Sequence, residues 1–177
     1  MKSICLGFLS VLFASCMAAQ NTAAVPPAEA ACGPSATRFQ VKKNQGQPEV
    51  SALEAGSARI YFIEDLMTEE WFDPLVRIGI DGHWVSAEQG NSWSTFTVPA
   101  GEHHLCADWQ PGPIHSGAGA LFGFKADADS TYYFRVLFPA VSNGQINDYG
   151  ILLEPVNPDE GRYLLSRYPQ AESKTVK

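Results

Sequence analysis

From residue 57 onward, apolar residues come in short runs divided by turn formers, and inside most runs they recur at every second position. Residues 58–63, Ala-Arg-Ile-Tyr-Phe-Ile, are rich in the β-branched and aromatic side chains that suit a pleated surface. Val76, Ile78 and Ile80 alternate with Arg77 and Gly79, the pattern of a half-buried strand. Asp81-Gly82 follows at once and His83-Trp84-Val85 comes next, which predicts a two-residue hairpin, since both central positions of such a turn need positive φ. Ser94, Phe96 and Val98 share one face and Thr95 and Thr97 the other. Val98-Pro99-Ala100-Gly101 then predicts a second hairpin, returning along residues 102–109. On the return strand His103, Leu105, Ala107 and Trp109 form the apolar face, which leaves Cys106 on the other face with His104 and Asp108.

Further along, Ala120, Phe122 and Phe124 alternate, and Tyr132, Phe134, Val136 and Phe138 mark one face of a strand over 131–138. Asn143-Gly144 reads as a turn before a partner strand over 149–154. Asn157 as cap, Pro158 in the first turn and Glu160 in a capping box predict a helix that carries Leu164 and Tyr168 and stops at Pro169. This adds up to an all-β fold, an Ig-like antiparallel β-sandwich of about 7–8 strands with one short C-terminal helix.

The first residues lack this alternation. Lys2 followed by an apolar run over 4–14 has the length of a signal-peptide core, and Ala14, Ser15, Ala18 and Ala19 supply small residues for cleavage. Residues 1–19 are therefore expected to be an export signal, 20–31 a flexible Ala/Pro linker, 32–170 the sandwich domain and 171–177 a disordered tail. Phe13-Ala14-Ser15-Cys16 approximates a bacterial lipobox, with Phe13 where Leu, Val or Ile is usual. Two forms stay open: a soluble one cleaved near Ala18 or Ala19, and one acylated on Cys16, whose several chains hold a membrane better than a single chain does.

Of four cysteines, Cys5 lies in the apolar run and Cys16 at the processing site, which leaves Cys32 and Cys106 for the domain. An even pair in an oxidising compartment predicts a disulfide, and it lacks the C-x-x-C spacing of a zinc site. Such a bond would pin the Cys32 segment across the outside of the sheet. The net charge is −7, and removal of a leader carrying Lys2 makes it one unit more negative. With no run of Lys or Arg to displace counterions, nucleic acid is excluded as a partner class.

Three segments together resemble a known group of proteins. Asp81-Gly82-His83-Trp84-Val85, then residues 98–106 (Val-Pro-Ala-Gly-Glu-His-His-Leu-Cys), then Thr131-Tyr132-Tyr133-Phe134-Arg135 are similar to an uncharacterised family of bacterial exported or lipoprotein domains. That family shows a DG turn, a PGxH turn and a YY-rich strand. The Pro-Ala-Gly-Glu-His segment also resembles the PEGA type of small surface β-sandwich. The likeness spans residues 32–167 and implies a PEGA-like sandwich in the cell envelope, periplasmic or anchored to the outer membrane; it carries over no catalytic residues and no cofactor.

Candidate chemistry is sparse. His83, His103, His104 and His115 invite a metal, but His103 and His104 are strand neighbours on opposite faces, and His83 with His104 supplies only two ligands. His103 reads as a core histidine with both ring nitrogens bonded. Ser86, Ser92, Ser94 and Ser116 lie near histidines without a Gly-x-Ser-x-Gly elbow. Cys106 beside His104 imitates a thiol–imidazole pair, but an exported thiol goes to the disulfide. Acid pairs stand at Glu64-Asp65, Glu69-Glu70, Asp127/Asp129 and Asp159-Glu160, with nothing to set two across a cleft. The glycine-rich stretch 117–123 places its third glycine one residue late for a dinucleotide fingerprint and leads into a strand. Trp71, Trp84, Trp93 and Trp109 are either exposed stacking groups for a sugar or partner, or caps on the sandwich core. The function expected is a non-enzymatic binding or structural module for an envelope protein or glycan, with no cofactor and no metal. The alternative is a periplasmic hydrolase or metal-binding protein using His104, Asp108 and nearby acids.

Overall fold

The computed structural model describes residues 32–45, 51–66, 73, 75–111, 119–139 and 150–176. The expected leader with Cys5 and Cys16, the linker, Glu69-Glu70, Trp71, His115 with Ser116, and the Asn143-Gly144 turn lie outside them. Ten strands and one helix are present among the described residues: β1 (Arg38–Asn44), β2 (Ser57–Glu64), β3 (Leu75–Ile80), β4 (His83–Gln89), β5 (Trp93–Pro99), β6 (Gly101–Trp109), β7 (Ala120–Ala126), β8 (Thr131–Leu137), β9 (Leu152–Val156), α1 (Pro158–Arg167) and β10 (Gln170–Val176).

They build an all-β sandwich of two sheets. The larger has the order β1-β10-β5-β2-β8-β9 and the smaller β4-β3-β6-β7. Between them lie the alternating stripes that the sequence marks: Ala58, Ile60 and Phe62 of β2, Phe134 and Val136 of β8, Val76 and Ile78 of β3, Leu105 and Ala107 of β6. Phe122 and Phe124 of β7 set their rings edge-on to Phe134 at 5.3 and 5.2 Å between centroids.

Several expectations need correction. The sheets are not wholly antiparallel: β2 runs parallel to β8 over six residue pairs, and β10 meets β5 in parallel at Gln170 and Trp93. β5 and β6 are not a hairpin, because β5 pairs with β2 in one sheet and β6 with β3 and β7 in the other. Pro99-Ala100-Gly101 is instead a corner between layers, with Gly101 at φ 151° and the Ala100 amide donating to the Gly56 carbonyl at 3.0 Å. The Asp81-Gly82 hairpin forms as expected, with φ of 51° and 80°. The partner strand of β8 begins three residues later than expected, at Leu152.

The chain's end is also ordered differently from expectation. Of the tail expected to be disordered over 171–177, residues 171–176 instead join Gln170 in β10, paired antiparallel with β1 over seven residue pairs, Arg38 with Val176 through Asn44 with Gln170. Both strands are polar, so neither stands out by hydrophobicity, but each completes the other's backbone hydrogen bonds. Gln110 fastens β1 to the smaller sheet, since its side-chain oxygen accepts from the Phe39 amide at 2.7 Å and its nitrogen donates to the Phe39 carbonyl at 3.1 Å.

Helix α1 lies on the outer face of the larger sheet. Asn157 caps it, its Oδ1 accepting from the amides of Asp159 and Glu160 at 3.0 Å each. The capping box is incomplete, because the Glu160 carboxylate accepts from Arg135 at 2.9 Å instead of reaching back. Leu164 closes a second small core with Tyr61, Ile63, Trp93 and Tyr133. Tyr61 stacks on Tyr133 at 5.2 Å, and Gly161 brings the helix so near that a Cβ there would overlap the Tyr133 ring.

Candidate functional site

The best-organised polar geometry joins two of the three segments singled out by their order along the chain. Asp81, first residue of the β3–β4 turn, reaches over β6. Its Oδ1 accepts from the His104 amide at 2.8 Å, its Oδ2 meets His103 Nδ1 at 2.7 Å, and its own amide donates to the His104 carbonyl at 2.8 Å. His103 Nε2 lies 2.8 Å from the carbonyl oxygen of Pro99.

The arrangement looks like the orienting half of a hydrolase triad, an acid on Nδ1 and a free Nε2 for a nucleophile. The second half differs. A carboxylate and a backbone carbonyl can only accept, so both contacts are hydrogen bonds only when the ring donates from both nitrogens, as imidazolium. Burial works against that charge, but the bonds to Asp81 and to the Pro99 carbonyl outweigh it and hold the His103 pKa above the ordinary value. Asp81 is affected in the opposite sense: burial opposes its ionisation, yet the His104 amide and His103 hold its carboxyl below the usual range. An imidazolium already bonded on both sides cannot take a proton as a general base. The core histidine expected at this position is what the geometry gives.

His104 points to the outer face, where a depression lined by Glu102, His103, His104, Gly123, Phe124 and Lys125 opens beside Gly123. Asp108 is four residues away along the same face, about 13 Å by strand rise, and Cys106 with its disulfide stands between them. Asp108 accepts from Arg77 at 2.8 Å. The two residues of the expected hydrolase or metal alternative are thus separate. His83 and His104 do not meet across neighbouring strands either, since β3 lies between β4 and β6. His83 Nδ1 sits 3.0 Å from the Asp81 carbonyl oxygen. Among the described residues no three His, Cys, Asp or Glu side chains gather as a metal would require.

The third polar centre lies under a strap. Cys32 is bonded to Cys106, with Cα atoms 5.2 Å apart, and residues 32–37 run across the outer face of the smaller sheet. Here β3 departs from the half-buried strand its alternation suggests: both faces are covered, and Arg77 is 1 % exposed. Its guanidinium donates to the carbonyls of Ser35 and Thr37 at 2.9 and 3.1 Å, pairs with Asp108, and lies 4.2 Å from the centre of the Trp84 ring. Trp84 Nε1 donates to the Pro34 carbonyl at 2.9 Å. Gly79 allows the close approach, since a Cβ there would stand 2.8 Å from the Cys32 carbonyl oxygen.

On the opposite side Arg135 collects acids beneath α1: Glu160 and Glu154 at 2.9 Å and Asp65 at 3.7 Å. The Tyr168 hydroxyl donates to Asp65 at 2.6 Å, and burial together with that bond pushes its pKa up to about 12. Trp93 is buried in this layer, its Nε1 donating to the Tyr168 carbonyl at 2.9 Å, and Trp109 is buried in the main core. Trp93 and Trp109 therefore pack the two cores, as the capping expectation has it, while Trp84 lies half-buried on the outer face of the smaller sheet against Arg77.

Sequence reasoning missed one residue that the structure makes prominent. Glu88 on β4 is fully buried and opposes Glu64, the first member of one of the acid pairs. A signal existed: Glu88 is two residues from Ser86 and pairs with Val76, a core position, so its parity points inward.

No family model matches the chain, and no curated protein matches it.

Proposed function

We propose that the chain is an exported, non-enzymatic β-sandwich module of the cell envelope, one that presents its loops to a protein or glycan partner. The strap carries this reading. A disulfide that closes a loop between positions 74 apart and seals a buried arginine is a construction for an oxidising compartment. The use of polar groups supports the non-catalytic part: Asp81 with His103, Arg77 with Asp108, and Arg135 with three acids each serve contacts within the fold. A further hint is the mixed-charge depression at Glu102, His104 and Lys125, which offers a surface to a partner.

The test begins with the intact mass of the full chain after expression with export, under non-reducing conditions. The expected product lacks the leader and the two hydrogens of the cysteine pair, and its mass reports whether Cys16 is acylated. Cross-linking in envelope extract is then expected to capture a defined partner, while a hydrolase panel shows no turnover. A retained leader with both thiols titratable, or turnover abolished by His104→Ala, overturns the reading.

A further inference from the structure

At one end of the interior the core stripes of both sheets finish on acids. Ala58, Ile60 and Phe62 lead to Glu64 on β2, while Glu88 on β4 shares the inward face of Val76 in the opposing sheet. Both side chains are 0 % exposed. Each satisfies one oxygen: Glu64 Oε1 accepts from the Gly90 amide at 3.0 Å, and Glu88 Oε1 accepts from the Ser94 amide and hydroxyl at 3.1 and 2.7 Å. Neither Oε2 has a hydrogen-bond partner among the described residues. Among the described residues, the other charged groups facing Glu64 are Asp73, ahead of β3, and Lys43 on β1, which sit 3.3 Å apart as a pair of their own. The partner that β5 offers Glu88 is Ser94, which is uncharged. Two carboxylates in this fully buried position are far less stable than two carboxylic acids, or than one acid beside one carboxylate.

One of these side chains holds a turn, and the other holds the strand that leaves it: Glu64 bonds Gly90, and Glu88 bonds Ser94 of β5. Gly90-Asn91-Ser92 joins β4 to β5 and hangs on Glu64 through the Gly90 amide and through the Glu64 amide, which donates to the Ser92 carbonyl at 2.8 Å. Asn91 Oδ1 accepts from the Leu66 amide at 2.7 Å, and both Gly90 and Asn91 have left-handed φ, 44° and 34°.

We propose that Glu64 and Glu88 form a proton-operated latch, which keeps the β4–β5 turn closed on the end of β2 while the pair is protonated and lets it open when both protons leave. Ionisation of both acids requires water at the two bare oxygens, and the element that must yield to admit it is the β4–β5 turn, which Glu64 holds by the Gly90 amide and Glu88 holds at its exit by the Ser94 amide. Burial pushes the Glu88 carboxyl up to about 8 against the pull of Ser94; burial and the Glu88 charge push Glu64 well above its ordinary value. The sign follows directly. Unfolded glutamates ionise near pH 4.3, whereas the folded pair keeps its protons, so the native state binds more protons between those limits and its stability falls as pH rises.

The experiment follows the side-chain carboxyl ¹³C shifts of the full chain from about pH 4 to about pH 10, together with exchange protection of the Gly90 and Ser94 amides corrected for base catalysis. Two glutamates are expected to titrate well above the rest. Protection at Gly90 and Ser94 should drop roughly tenfold or more between about pH 6 and about pH 9 while Ile60 and Ile78 stay protected. The Glu64→Gln/Glu88→Gln double variant should lose that pH dependence. Ionisation of both acids in the ordinary range overturns the latch, as does an equal loss of protection in the core strands or a persisting dependence in the double variant. Should the double variant fail to fold, the wild-type carboxyl titration and the local protection decide alone.

Discussion

His103 turns a local geometry into a dependence on pH. Its raised pKa means that the folded state holds the proton more tightly than the unfolded one does. The stabilisation is fully present below the unfolded value, about 6.5, and is lost as pH rises through the folded value. Asp81→Asn should bring the His103 titration, followed by ring ¹³C shifts, back toward the ordinary value; an unchanged midpoint would mean that Asp81 is not what holds the proton. Arg77 makes a second case at this scale. Arg77→Met leaves the Ser35 and Thr37 carbonyls and Asp108 without their donor beneath the strap. We expect a loss of about 3 kcal/mol in urea unfolding, with an unchanged m-value. Much at this scale was legible: the parity of residues 102–109 placed His103 inward and Cys106 outward, as found. Arg77 was not, because its alternation with Ile78 and Ile80 looks solvent-facing until the strap, drawn from distant sequence, is laid over it.

Among the elements, β10 carries the clearest expectation. Removing residues 170–176 strips β1 of its partner along its whole length and uncovers β4, which β10 flanks through the 3.0 Å contact of Ser86 with Ser173. The truncated chain should melt roughly 10 °C lower or more, and in the intact protein limited proteolysis should spare this segment as it spares β2. Helix α1 offers a finer test. Gly161→Ala drives a methyl into Tyr133, itself stacked on Tyr61, so a cost of about 1–3 kcal/mol is expected even though alanine is the better helix former. The helix and most strands could be read from caps and alternation. Beyond reach were β1 and β10, whose polar sequences carry no stripe, and the corner at Gly101, since a Pro-x-Gly turn is compatible with a hairpin and with a change of layer alike. The partner of each strand depends on contacts far apart along the chain, and periodicity is silent about those.

For the molecule as a whole, the Cys32–Cys106 bond should matter more than any single packing contact. Loop-closure entropy over this span contributes about 4 kcal/mol, a large part of a typical net stability of about 5–15 kcal/mol. Cys32→Ala/Cys106→Ala is therefore expected to lower the unfolding free energy by roughly that amount, and a reductant should do the same to the wild type but not to the variant.

The pairing of β1 with β10 has a consequence for how the protein is made. Any machine that delivers the polypeptide from one end to the other releases β1 long before the residues that complete it exist on the same side. Until residue 176 arrives, the edge of the larger sheet stands open and the polar ribbon beside it has nothing to bind. Closure must then wait for residues 170–176 and cannot be set by the speed of any local hairpin.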